Sequence, residues 1–240
     1  MKVRTNGSFH KMTDLWEHVF SLIKNNDRVL DVGIDVDAIS ARKLANCSAN
    51  VVSIDESRTT LLQVLKKWKR QKLIAACCDV SQLPFRENNF DFGLLSYFLH
   101  EADPRLHLNI INEMSRVCRT IIIIEPSKFQ NKDIYRELES TWASALREKG
   151  IFEIYQDRLY WEEILRKSNL NVETSLVYRN DGFIPPCKLK SFSKNEEKLA
   201  ISFEISSSHT ERICNLARKI SKIGIPRRDQ LLLIASRRSN

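Results

Sequence analysis

Residues 29–40 read VLDVGIDVDAIS. A short apolar run interrupted by Asp31 leads to Gly33, and a segment with helical spacing (Ile39, Lys43, Leu44) comes soon after. That order predicts a strand, a tight turn and a helix. A glycine at such a turn lets the backbone approach a ligand with no Cβ in between. Asp35 and Asp37 stand where a glycine-rich loop would carry further glycines. The rest of the chain decides whether this turn still holds a ligand.

Working outward, apolar periodicity predicts strands near residues 28–32, 51–54, 73–77, 90–96, 119–125, 171–178 and 230–236. Helices are expected near residues 12–25, 38–45, 60–69, 106–117, 131–149, 160–167 and 209–223. Thr13 or Asp14 would cap the first helix, and Ser208 with Glu211 has capping-box spacing at the last. Leu61, Leu62, Leu65 and Trp68 are expected to face inward from the third. Tyr135, Leu138, Trp142 and Leu146 form one stripe. Strands alternate with helices, and the run RTIIIIE at residues 119–125 suits a parallel sheet covered on both faces. The fold class is α/β, doubly wound, in a single domain with an N-terminal helical cap at 1–26. Residues 183–229 form an insertion before the last strand, in which KLAISFEIS is ambiguous between helix and strand.

Ligands of such sheets bind beyond the carboxyl ends of the strands. Those ends hold Asp31 and Gly33, then Asp55 and Glu56, then Asp79 and Val80, then Ser96, Tyr97, His100 and Glu101, and last Glu125. A carboxylate at the end of the second strand can accept hydrogen bonds from both hydroxyls of a ribose. Asp79 can accept from an adenine amino group. The five segments VLDVGIDVDAIS, VVSIDES, CCDVSQLPF, NNFDFGLLSYFLHEADP and INEMSRVCRTIIIIEPS occur in this order.

Together they resemble the motifs of the class I S-adenosylmethionine-dependent methyltransferases, specifically the type 11-like, small-molecule branch that includes quinone-biosynthesis enzymes. The resemblance covers residues 27–127. It implies a three-layer Rossmann-like fold with a mostly parallel seven-stranded sheet and an antiparallel last strand. It implies S-adenosylmethionine as cofactor and a small or medium-sized acceptor. Position by position, it assigns Asp31, Gly33 and Asp35 to the cofactor loop and Asp55 and Glu56 to the ribose side. Asp79 and Val80 fall to the adenine, and Ser96 and Tyr97 to the methionine portion. His100 is the candidate base, with Glu101 as its partner; Glu125 reads as a strand end. Relatives fold an N-terminal helix over the cofactor mouth, where Phe9, His10 and Trp16 could line an acceptor pocket.

The chain departs from that pattern at Asp35 and Asp37. In a working loop, Asp37 caps the next helix and Asp35 attracts a cationic group of the ligand. In a lost one, the two acids repel the ligand's carboxylate. The second case makes the protein a non-catalytic scaffold or regulatory subunit. A third reading comes from charge. The formal net charge is +8, and residues 186–240 hold 12 Lys/Arg against 5 Asp/Glu. That basic quarter could grip nucleic acid, making the protein an RNA-directed methyltransferase.

The 240 residues are 42% hydrophobic and 28% charged, with no run long enough to span a membrane and no secretory pattern at residues 1–14. A cytoplasmic setting is expected. The six cysteines lack any C-x-x-C pair, so no metal site is expected, and the thiols should be reduced and apolar in surroundings.

Overall fold

The computed structural model describes residues 10–11, 14–35, 37–47, 49–68, 74–129 and 134–238. In chain order the elements are β1 (His10–Lys11), α1 (Asp14–Leu22), β2 (Arg28–Val32), α2 (Ile39–Ala45), β3 (Asn50–Asp55), α3 (Arg58–Lys67) and β4 (Ile74–Cys77). Next come β5 (Phe90–Ser96), α4 (His107–Val117), β6 (Cys118–Pro126), α5 (Ile134–Arg147), α6 (Arg158–Lys167) and β7 (Leu170–Arg179). The chain closes with β8 (Phe183–Ile184), α7 (Phe192–Ser202), α8 (Ser207–Ile223), β9 (Ile225–Pro226) and β10 (Gln230–Arg237).

The main sheet runs β1-β7-β10-β6-β5-β2-β3-β4. β10 lies antiparallel to both β6 and β7, and every other pairing in that sheet is parallel. This is the expected seven-stranded sheet with its antiparallel last strand, extended at one edge by the two residues of β1.

Side chains of successive strand residues point to opposite faces, and the sequence uses both. Ile121 and Ile123 of β6, with Leu231 and Leu233 of β10, pack under α4 and α6 through Ile110, Met114, Trp161 and Leu165. On the other face, Ile122 and Ile124 of β6 with Leu232 and Ile234 of β10 pack against Leu15 and Val19 of α1. The apolar side of α1 therefore covers a face of the sheet, and within that helix only Trp16 reaches the cleft at the sheet's carboxyl edge. Thr13, Phe9 and the side chain of His10 lie outside the described residues.

Several local expectations are corrected. α3 buries Leu61 and Val64, whereas Leu62 and Leu65 are exposed. The residue before α8 is Ser206, which gives no side-chain cap, and Ser208 lies inside the helix. The ambiguous KLAISFEIS ends α7, whose single buried residue is Ala200. Cys77 and Cys187 are exposed rather than buried.

α7 and α8 pack on each other, and α8 packs on α5. The antiparallel ribbon β8–β9 closes the base of this unit. Gly224 ends α8 at φ +91, where a Cβ would meet the Phe183 ring at 2.2 Å. Among the described residues no helix is long and apolar enough to cross a membrane.

Candidate functional site

A cavity of about 1130 Å³ opens beyond the carboxyl ends of β2, β3, β4 and β5. The order β5-β2-β3 places it where the sheet's winding reverses, the position at which open α/β sheets take ligands. Gly33, Asp35, Asp55, Glu56, Asp79, Val80, Ser96, Tyr97, His100 and Glu101 all line it. Asp31 does not.

Asp31 is fully buried one layer behind the wall. Its Oδ2 accepts from Ser40 Oγ at 2.9 Å and Ser53 Oγ at 3.1 Å, and its Oδ1 has no partner among the described residues. Burial is the main cause that pushes its carboxyl up to about 7, against the two serine hydrogen bonds. Because Ser40 lines the cavity, Asp31 acts on the cleft by holding that hydroxyl.

The turn after β2 meets its conformational demands differently from a glycine-rich loop. Gly33 has φ +78, and a Cβ there would lie 2.6 Å from Phe98 Cδ2. The close approach that requires glycine is thus to the chain's own Phe98. The next positive φ among the described residues of this loop is at Ala38, φ 48, which precedes α2 without a side-chain cap. Asp37 is not that cap. It pairs with Lys67 outside the cavity, and this hydrogen bond and charge hold its carboxyl below the usual range. Asp35 remains at the wall, exposed.

The other acids are oriented by the backbone. Asp55 Oδ1 accepts from Ser57 N at 2.7 Å, and partial burial raises its pKa. Asp79 Oδ1 accepts from Ser81 N at 2.7 Å. Neither has a hydrogen bond at its second carboxylate oxygen among the described residues. Among the described residues the one lysine in the wall is Lys43, whose ammonium stands 4.5 Å from the centre of the Trp16 ring. In the sequence alone Lys43 reads only as part of a helical segment.

Beyond β5 the chain is strained and tied down. Tyr97 takes φ 56, a costly conformation for a non-glycine residue. Burial, with the Glu125 charge adding, pushes its phenol up to about 12. Glu125, buried at the end of β6, anchors the turn after Tyr97. Its Oε1 accepts from Phe98 N at 2.9 Å and Leu99 N at 2.7 Å. Its Oε2 lies 2.7 Å from His100 Nδ1. His107 Nε2, 2.9 Å from the Leu99 carbonyl, braces the same turn.

The hydrogen-bonded partner of His100 is therefore Glu125. Glu101, the expected partner, is exposed and lies 3.8 Å from Nε2. A carboxylate at Nδ1 makes that nitrogen the protonated one and leaves the Nε2 lone pair in the neutral ring. Burial opposes the imidazolium, but Glu125, Glu101 and Glu153 outweigh it and raise the pKa. The ring also stacks on Tyr155 at 5.1 Å and 16°. In sequence Glu125 is legible only as a strand end, since its amide partners lie far away along the chain.

Residues 30–121 match the family model described as a methyltransferase domain. No curated protein matches significantly. Among solved structures, the chain is similar to a putative methyltransferase from Bacillus halodurans C-125, at 14% identity and TM-score 0.67, covering 95% of this chain and 99% of that one. It is similar to a SAM-dependent methyltransferase from Methanosarcina mazei, at 14% identity and TM-score 0.65, covering 92% and 98%. A geranyl diphosphate C-methyltransferase from Streptomyces coelicolor A3(2), solved with Mg2+, geranyl diphosphate and S-adenosyl-L-homocysteine, aligns at 10% identity and TM-score 0.57, covering 94% and 80%. At these identities the likeness establishes the fold.

Proposed function

We propose that the chain is an S-adenosylmethionine-dependent methyltransferase acting on a small or medium-sized acceptor. The family match, the fold and the position of the cleft support this chemistry together. The observation that carries it is the convergence of Asp55, Asp79 and Tyr97 on one open cavity of about 1130 Å³. That volume accommodates a nucleoside-sized cofactor and leaves space beside it.

The wall fits the cofactor in charge as well as size. Asp55 would hold the ribose and Asp79, with Val80, the adenine edge. Glu56 flanks the ribose side. Asp35 and Glu101 favour a cationic centre, and Lys43 is the wall's counter-charge for a carboxylate. Ser96 and Tyr97 lie beside the methionine portion. Asp31 keeps Ser40 turned to the cleft, and Gly33 keeps the turn clear of Phe98. Bound S-adenosylmethionine supplies an activated methyl group, so alignment can provide most of the acceleration. His100 Nε2 takes the proton of an acceptor that must lose one, with Glu125 setting its tautomer.

An open cleft with these groups oriented argues for an enzyme over a non-catalytic scaffold. The nucleic-acid reading draws less support. Arg212 and Arg228 of the basic quarter pair with Glu137 and Glu139, and Arg237 donates to the carbonyls of Ser115 and Arg116. The two exposed thiols, Cys77 and Cys187, suit the reducing cytoplasm.

Calorimetry with S-adenosylhomocysteine tests the proposal. Binding is expected, and Asp55→Ala should weaken it about tenfold or more, the scale of a lost charge-assisted hydrogen bond. No binding at millimolar ligand would sink the reading.

A further inference from the structure

A second cavity, about 650 Å³, lies between α5 and the unit of residues 183–229. The stripe expected on α5 (Tyr135, Leu138, Trp142 and Leu146) lines it, opposite Phe192 and Leu199 of α7. One stacked pair of rings links its wall to that of the first cavity. His100 lines the first, Tyr155 lines the second, and their rings lie 5.1 Å apart. Ile154 N donates to the His100 carbonyl at 2.8 Å and ties the two segments together.

The charges around the second cavity are unequally satisfied. Arg228 is engaged on every side: its Nη1 donates to Glu139 at 2.8 Å, and its guanidinium lies 3.9 Å from the Tyr155 ring centre and 4.1 Å from that of Phe129. Arg227 is exposed. Glu153 and Glu196 have no ion pair among the described residues. Glu153 accepts from the Tyr155 hydroxyl, and Glu196 accepts from Trp142 Nε1 at 2.6 Å. Burial raises the Glu196 pKa, and the Glu153 charge adds to it against the Trp142 hydrogen bond. One acceptor enclosed in the wall is also unpaired. Gln230 lines the cavity at 7% exposure, and its Oε1 has no partner among the described residues.

Two carboxylates without an ion pair among the described residues and a wall of aromatic faces form one recognition chemistry. Carboxylates and ring faces attract an ammonium group, and each of these acceptors takes an N–H. An anionic ligand would meet Glu153 and Glu196 with Arg228 already occupied and the exposed Arg227 as the one remaining cation among the described lining residues. We propose that this cavity holds the body of the methyl acceptor, an amine with an apolar frame whose ammonium is recognised by Glu153 and Glu196. The methylated atom is a separate nucleophile reaching the first cavity, where its lone pair forms the new bond to carbon as the S–CH3 bond breaks and His100 Nε2 takes its proton. The body lies along Leu138, Trp142 and Leu199, and the molecule extends past the His100–Tyr155 stack towards the first cavity. The inference rests on the methyl-transfer reading and names the substrate class for it.

The test titrates the full chain, saturated with S-adenosylhomocysteine, with phenethylamine and hexylamine. Phenethyl alcohol and 3-phenylpropionate serve as neutral and acidic counterparts. The amines should bind at least about tenfold more tightly than the alcohol, the scale of a charge-assisted hydrogen bond. Glu196→Gln keeps an acceptor for the Trp142 indole, and should erase most of that preference without lowering the melting temperature. S-adenosylhomocysteine titrated alone reports on the first cavity separately. If it binds and the amines show no preference, the inference is overturned while the methyl-transfer reading stands. Preferred binding of the carboxylate also overturns it, and assigns the cavity to Arg227 and Arg228. Failure of S-adenosylhomocysteine to bind removes the methyl-transfer reading, and with it the cavity's role as an acceptor site.

Discussion

Replacing Glu125 with Gln tests the arrangement around His100 with little change of shape. Both backbone amides, Phe98 N and Leu99 N, donate to Oε1, and only His100 Nδ1 meets Oε2. A Gln that keeps its oxygen at the Oε1 position preserves the two amide bonds in neutral form and presents an NH2 to the imidazole. Hydrogen bonds to a charged group contribute ~1.5–3 kcal/mol against ~1 for neutral ones. With His100 protonated, two bonds weaken and the third becomes a contact of donor with donor, so the loss should be ~2–4 kcal/mol. With His100 neutral, its Nδ1 lone pair can accept from the new amide, and the loss should shrink to ~1 kcal/mol. Proton linkage gives the direction with pH. The folded His100 pKa is raised above 6.5, so the stability it contributes is complete below the unfolded value and is lost as pH rises through the folded one. Urea denaturation of both proteins under acidic and under alkaline conditions, on either side of that range, should therefore show the larger penalty at the acid end. The substitution also favours the tautomer protonated at Nε2, so turnover of a proton-losing acceptor should fall while S-adenosylhomocysteine affinity changes little. An equal penalty under the two conditions would refute the ion pair. Unchanged turnover would refute the tautomer argument.

Asp31→Asn should act in the opposite direction. A buried carboxyl whose pKa is raised from 3.8 to about 7 costs stability as pH rises through that interval, so the variant should gain ~4 kcal/mol above it and nothing at its acid end. A gain of the same size at both would show that ionisation is not its source. Gly33→Ala places a Cβ 2.6 Å from Phe98 at φ +78, and should cost ~2 kcal/mol or more by thermal melting together with most of the affinity for S-adenosylhomocysteine. Gly224→Ala meets Phe183 at 2.2 Å and the Ile184 carbonyl at 2.8 Å. Hydrogen exchange should then show α7 and α8 losing protection while β2, β5 and β6 keep theirs, and cofactor-site affinity should stay within about twofold.

The legible parts of this fold are those where one physical signal dominates. β2 and β5 begin and end where the sequence predicts, because each is an apolar run bounded by polar residues. α3 departs from expectation because leucines at 61, 62 and 65 support two helical stripes, and only tertiary contact selects Leu61 with Val64. α7 hides its type for a related reason. Leu199, Ile201 and Phe203 alternate like a strand, yet Leu199 and Ile201 are 45% and 67% exposed on a helix and its end. Strand-end carboxylates can be read as a cleft, since sheet topology alone delivers them to one rim. The Glu125–His100 bond cannot, because it depends on a turn after β5 reaching the end of a neighbouring strand.

The two loop aspartates finally separate by what each touches. Asp37 is bound by Lys67 away from the cleft, so its charge does not face a ligand. The positive φ values of this turn, among its described residues, fall at Gly33 and Ala38, and neither aspartate has one. An aspartate in place of glycine at those two positions therefore carries no backbone penalty. Asp35 stands in the wall with Asp55, Glu56, Asp79, Glu101 and Asp103, opposed among the described residues by Lys43. On the methyl-transfer reading, such a wall would repel a free anion and suit a ligand that carries a cationic centre, with Lys43 as the counter-charge for its carboxylate. Asp35 thus adds negative charge to the cleft, while the positive φ values among the described residues of the turn fall at Gly33 and Ala38.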